Sequence, residues 1–146
     1  MLKPKNKWDL KDIIDEAIKK NGSEVDLNYI DTSEITDMSW LFEGCDFNGR
    51  IDKWNTSNVK DMSYMFYNSK FNGDISKWDT SNVTNMRKMF FISQFDRNIE
   101  DWNTKSLKNC YQMFYNSGFT HNLYKWVMNK PELLLELKLS YIRDWN

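Results

Sequence analysis

Trp54, Trp78, Trp102 and Trp126 stand 24 residues apart, and Ile30 extends the series one step toward the N-terminus. A fixed period of this size marks a repeat architecture, in which a unit buries its apolar side only against its neighbours. Cutting at these residues gives four gapless units, 30–53, 54–77, 78–101 and 102–125. The sixth position is Ile35, Val59, Val83 and Leu107, and the ninth is Met38, Met62, Met86 and Cys110. The thirteenth is Phe42, Phe66, Phe90 and Phe114, the eighteenth Phe47, Phe71, Phe95 and Phe119, and the twenty-second Ile51, Ile75, Ile99 and Leu123. Aromatic residues reach 16% of the chain, and their recurrence in register assigns most of them to a core.

Positions six, nine, twelve and thirteen are three or four apart, which predicts one face of a helix or 3₁₀ segment in each unit. The Thr at position three (Thr32, Thr56, Thr80, Thr104) is placed to cap it. The stretch around position twenty-two, such as Gly73-Asp74-Ile75-Ser76, reads as a short strand. The expected fold class is therefore an α/β repeat solenoid, stacked through parallel strands.

The ends differ from the repeats. Residues 1–29 read as an N-terminal helical cap and a first strand. Trp8, Ile13, Ile14, Ala17 and Ile18 form an apolar stripe over 8–20, Asp9 is the expected N-cap, and Trp8 with Ile13 is placed as a hydrophobic staple. Asn21-Gly22 ends that helix, and 25–29 is the expected strand. Residues 126–146 read as a helical C-terminal cap, with Pro131 near a helix start followed by Leu133, Leu134, Leu135, Leu137, Leu139, Ile142 and Trp145. The alternation Leu-Glu-Leu-Lys-Leu leaves a final strand open.

Chemistry is hard to find. No GxSxG, P-loop, HExxH or GxGxxG is present, and the single histidine, His121, has no motif companion. Asp74 with Asp96, Glu100 and Asp101 could be read as a carboxylate pair, but solvated turns and edges explain them better. No CxxC occurs. Three coils at a strand spacing of ~4.8 Å would separate Cys45 from Cys110 by about 14 Å, beyond the ~7 Å that a disulfide spans. Two reduced thiols are expected, and no catalytic residue, metal or cofactor. With 20 basic and 21 acidic residues the net charge is -1, which argues against nucleic acid as a primary partner. No apolar run is long enough to cross a membrane, and no signal-peptide h-region follows Met1. A cytoplasmic protein of a bacterial host cell is the expectation.

Two surfaces remain for a partner. If position twenty-two points inward, its neighbours point out: Arg50, Asp52, Asp74, Ser76, Asn98, Glu100, Asn122 and Tyr124 would form a strand face. A second row is aromatic, with Trp40 and Tyr64 at position eleven and Tyr67, Phe91 and Tyr115 at position fourteen. These rings either offer hot-spot contacts or stack on one another as a ladder.

The phrase W-[DN]-T-S-N-V-x-[DN]-M-S-x-M-F at 54–66, nearly repeated at 78–90 and followed by F-N-G-D-I-S-K-W at 71–78, resembles the BspA-type leucine-rich-repeat family. The resemblance covers 30–126, and Ile30, Lys105, Ser106 and Cys110 depart from it. It implies a leucine-rich-repeat-like right-handed coil with one short parallel strand and one short helix or 3₁₀ segment per unit, capped by helices. It also implies binding rather than catalysis, and carries no catalytic residue over. The function expected is a non-enzymatic protein–protein interaction module: a small intracellular inhibitor or adaptor, for which a phage- or mobile-element-encoded protein that blocks a bacterial defence nuclease is one fit. The alternative is a surface-adhesin fragment that binds host protein or glycan. Homo-oligomerisation is left open.

Overall fold

The computed structural model describes residues 1–140, without the side chains of Leu139 and Ser140. Ile142 and Trp145, expected in the C-terminal cap, lie outside the described residues. Among the described residues there are three helices: α1 (Lys7–Asn21), α2 (Tyr124–Asn129) and α3 (Leu133–Ser140). There is no sheet. Pairing is confined to isolated parallel bridges, such as Asp37–Asp61, Asp61–Asn85 and Asn85–Asn109. This overturns the expected α/β solenoid with a strand and a helix in each unit, and with it the strand-rich leucine-rich-repeat architecture. The units are irregular coils that lie on one another.

The reason is a backbone alternation that side-chain spacing does not reveal. Position eleven is left-handed in every unit, at Trp40, Tyr64, Lys88 and Gln112, and so is position fifteen, at Gly44, Asn68, Ile92 and Asn116. A left-handed residue interrupts helix and strand alike. It also turns the N–H groups of alternate residues toward the next coil. Met38 donates to the Asp61 carbonyl at 2.8 Å, Trp40 to Ser63 at 3.2 Å, Phe42 to Met65 at 2.9 Å and Gly44 to Tyr67 at 2.8 Å. The same four bonds recur from the second unit to the third and from the third to the fourth. Spacings of three and four arise here from successive turns, closed by bonds such as Met65 N–H to the Met62 carbonyl and Tyr67 N–H to Tyr64. A helix would give the same spacing.

Side chains complete the ladder. The Thr column does not cap a helix. Thr32, Thr56 and Thr80 donate their hydroxyls to the carbonyls of Asn55, Asp79 and Asn103 in the following coil, at 2.9–3.0 Å. Each repeat Trp donates its indole N–H to a carbonyl 27 residues earlier, about one coil back in the stack: Trp54 to Leu27, Trp78 to Ile51, Trp102 to Ile75 and Trp126 to Ile99. The indoles stack with centroids 6.3–6.4 Å apart, and the Phe rings of positions thirteen and eighteen form parallel columns beside them. The core is these columns together with the Met column, all with at most a few percent of their surface exposed.

Each end is closed differently. Asn6, not Asp9, caps α1, accepting from the N–H groups of Trp8 and Asp9. Asp9 lies in the first turn, where a negative charge suits the helix dipole. Leu10, Ile14 and Ala17 cover the first coil, while Trp8 is 70% exposed and staples nothing. The strand expected at 25–29 is absent: Asp26 forms a single bridge to Arg50, and Leu27 N–H donates to the Arg50 carbonyl at 2.9 Å. At the other end the helical part of the cap is in two pieces, α2 before Pro131 and α3 after it, and α2 begins two residues before the expected start of the cap. Two charged side chains there replace bonds that a further coil would make. Lys130 donates its Nζ to the carbonyls of Thr104, Lys105 and Leu107, and Glu136 accepts from the Cys110 N–H at 2.6 Å.

No disulfide joins Cys45 and Cys110. Cys110 is fully buried, and that burial, with Glu136 beside it, pushes its thiol far above the ordinary range. Cys45 is half-buried. A thiolate is the reactive form. A mild alkylating reagent is therefore expected to modify Cys45 in the native protein and Cys110 only after denaturation, as mass spectrometry of the labelled chain would read. Equal labelling of both would show that the cover over Cys110 opens.

Candidate partner-binding surfaces

The strand-face residues do lie on one exposed side, yet most of them make turns. Asp74, Asn98 and Asn122 each accept, through the side-chain oxygen, from the backbone N–H two residues on: Ser76, Glu100 and Tyr124, at 2.9, 2.9 and 3.4 Å. This is an Asx turn, and it needs only an acceptor oxygen, so Asp and Asn interchange. Arg50 is forked onto Asp52 at 3.2 Å and reaches Asp26 at 3.5 Å, and Asp52 also accepts from the Asn28 amide at 2.9 Å. The hydrogen bond from Ser76 lowers the Asp74 carboxyl below the usual range, and that from Asn28 lowers Asp52. Two further columns use the same device. Asp31, Asn55, Asp79 and Asn103 serve position two, and Asp37, Asp61, Asn85 and Asn109 serve position eight. The carboxylates of Asp52 and Asp74 on this face are thus engaged in holding the coil. His121 reaches the Asp96 carbonyl at 3.2 Å and its carboxylate at 3.4 Å, which ties the last two coils together. Among the described residues no group of three or more His, Cys, Asp or Glu is placed to hold a metal ion.

The aromatic residues form a ridge on the opposite side of the ladder segment. Trp40 stacks on Tyr64 at 4.0 Å and 7°, Tyr67 on Phe91 at 5.1 Å and 3°, and Phe91 on Tyr115 at 5.1 Å and 14°. The ladder arrangement is the one present, with each ring stacked on at least one neighbour. Tyr64, Tyr67, Phe91 and Tyr115 are half-buried, and Trp40 is 45% exposed.

Four kinds of ridge residue were not singled out by sequence. Ile92 is left-handed with φ 53°, and its side chain is 44% exposed. Arg87 donates to the Tyr64 hydroxyl at 3.2 Å and lies 5.2 Å from the Tyr111 ring. Lys88 lies 5.0 Å from the Phe91 ring and 5.9 Å from Tyr64. Lys60 and Lys108 stand exposed at position seven of their units. The signal was present in the columns: position fifteen reads Gly44, Asn68, Ile92, Asn116, and an isoleucine among left-handed formers is the odd member.

Stacked coils of fixed length, with one face spent on turns and one on a row of stacked rings, define a repeat protein with an open side. A family model described as "Mycoplasma protein of unknown function, DUF285" matches residues 8–126, and the chain belongs to that family. No match to a curated protein was found, and none to a solved structure. No helix among the described residues is long and apolar enough to cross a membrane.

Proposed function

We propose that the chain is a non-enzymatic protein-binding module whose docking surface is the aromatic ridge. One observation carries the reading: Ile92 keeps an exposed apolar side chain in a left-handed backbone, beside Phe91. A β-branched residue in that conformation is a genuine outlier, and strain of this kind persists where something other than stability selects it. The neighbouring units place Asn or Gly there without strain. An exposed ridge of aromatic and apolar groups is also the composition found at interface centres. The finer kinship suggested by the repeat motif, with the BspA-type family, supports binding in the same direction. A small inhibitor or adaptor acting inside a cell is the form of binder proposed.

The same residue supplies the test. Ile92→Asn is expected to stabilise the fold by about 1 kcal/mol, raising Tm by about 3 °C, because Asn tolerates the left-handed region. It is also expected to weaken capture of a stoichiometric partner from a bacterial lysate at least roughly tenfold, the loss typical of a hot-spot residue. Asp74→Asn and Glu100→Gln, on the other face, should leave capture unchanged. A wild-type chain that recovers no stoichiometric partner, or a partner lost through the Asp74 face instead, would overturn the assignment.

A further inference from the structure

The charge along the ridge is not uniform. Residues 36–46, the first unit's segment, carry Asp37, Glu43 and Asp46 and no cation. The matching segments 60–70, 84–94 and 108–118 carry Lys60, Lys70, Arg87, Lys88 and Lys108 against the single carboxylate of Asp61. That carboxylate is already engaged by the Ser63 N–H and hydroxyl at 2.8 and 2.6 Å. Lys70 pairs with Asp46 at 3.4 Å. Lys60, Arg87, Lys88 and Lys108 have no carboxylate partner among the described residues; Arg87 and Lys88 instead lie against the Tyr111 and Phe91 rings, at 5.2 and 5.0 Å.

The rings share this surface. An aromatic ring is negative over its face, which attracts a cation. Lys88 lies over the Phe91 ring at 5.0 Å and Arg87 over Tyr111 at 5.2 Å, within the stacked row of Tyr67, Phe91 and Tyr115. The second to fourth coils therefore offer a surface that is apolar and cationic at once.

Resting on the ridge as the docking surface, we propose that its partner is an acidic protein segment in which carboxylates alternate with apolar or aromatic side chains. The carboxylates would meet Arg87, Lys88 and the lysines of position seven, and the apolar groups would meet Ile92 and the rings. Single-stranded nucleic acid fits less well, because bases stack on open aromatic faces and Phe91, beside Ile92, has a ring on each side, Tyr67 and Tyr115.

The probe is a random copolymer of glutamate and tyrosine, fluorescently labelled and titrated with the full chain. Binding is expected to be saturable and to weaken about tenfold between ~0.05 and ~0.3 M salt, as screening of surface charge requires. Arg87→Glu with Lys88→Glu should weaken it at least roughly tenfold, and Lys88→Gln by a smaller factor, since reversing a charge adds repulsion to the lost attraction. Lys53→Glu with Lys77→Glu, away from the ridge, should not change it. Thermal melts of each variant establish that it is folded.

Equal loss in both charge-reversal pairs, tighter binding of an oligothymidylate than of the copolymer, or ridge-dependent dimers by light scattering would each overturn the proposal. Should the lysate partner depend on Ile92 while neither it nor the copolymer responds to Arg87→Glu and Lys88→Glu, the acidic partner falls and the ridge stands. Should no partner depend on Ile92, the ridge falls with it.

Discussion

Trp78→Ala is expected to destabilise the chain by about 4–5 kcal/mol, the upper end for removing a buried aromatic. Trp78 stacks on Trp54 and Trp102 at 6.4 Å on both sides, lies 6.4 Å from Phe66, and is 4% exposed. The cavity would open in the middle of the stack, where coils above and below are fixed by the ladder and cannot close in. Trp78→Phe separates packing from hydrogen bonding. It removes the bond from Nε1 to the Ile51 carbonyl, but that carbonyl still accepts from the Trp54 N–H at 3.2 Å. Its expected cost is about 2 kcal/mol, a lost bond and a small void. Trp126→Phe should cost less than Trp78→Phe, because Trp126 has a Trp neighbour on one side only, Trp102. Urea unfolding of the three variants reads these differences. A Trp126 variant as damaging as the Trp78 variant would mean that the end coil, not the centre, limits stability.

The same column shows what sequence could deliver. Period, register and inward-facing residues were legible because burial selects residue type, and the Trp, Phe, Met and Ile columns are the core residue for residue. Local backbone geometry was not. Left-handed turns at Tyr64 and Lys88 have no glycine to announce them. Their N–H groups are satisfied 23 residues ahead, by Arg87 and Tyr111, so no local pattern records the bond. The Asp and Asn columns looked like a polar edge free to vary, and were in fact turn formers at Asp74, Asn98 and Asn122. The aromatic ridge was legible as a row of residues. Its cationic side was not, because Arg87 and Lys88 fall in two different columns and meet Tyr64 and Tyr111 of other coils only when the coils stack.

Gly49→Ala carries the second large effect, expected at about 3 kcal/mol or more, and it tests the stacking itself. A Cβ at Gly49 would run into the backbone carbonyl oxygen of Val25 in the preceding turn of chain, and would lie 2.8 Å from the Phe47 ring. That carbonyl also accepts from the Arg50 N–H at 3.3 Å, so it cannot swing away without losing the bond. Overpacking against backbone forces the elements apart, and costs of 1–3 kcal/mol or more are typical. Gly73, at the same position of the next unit, meets a gentler obstacle: the Phe71 ring at 2.7–2.8 Å, and the nearest backbone, the Gly49 carbonyl oxygen, only at 3.5 Å. The third and fourth units carry Arg97 and His121 there, so a side chain is tolerated once a coil of the repeat, not the N-terminal cap, lies beneath. Gly73→Ala should therefore cost clearly less than Gly49→Ala in thermal unfolding. The difference locates the tightest packing at the junction between the cap and the first coil. Equal costs would mean that the ring, not the Val25 carbonyl, sets the penalty, and that the cap is seated more loosely than the coils it covers.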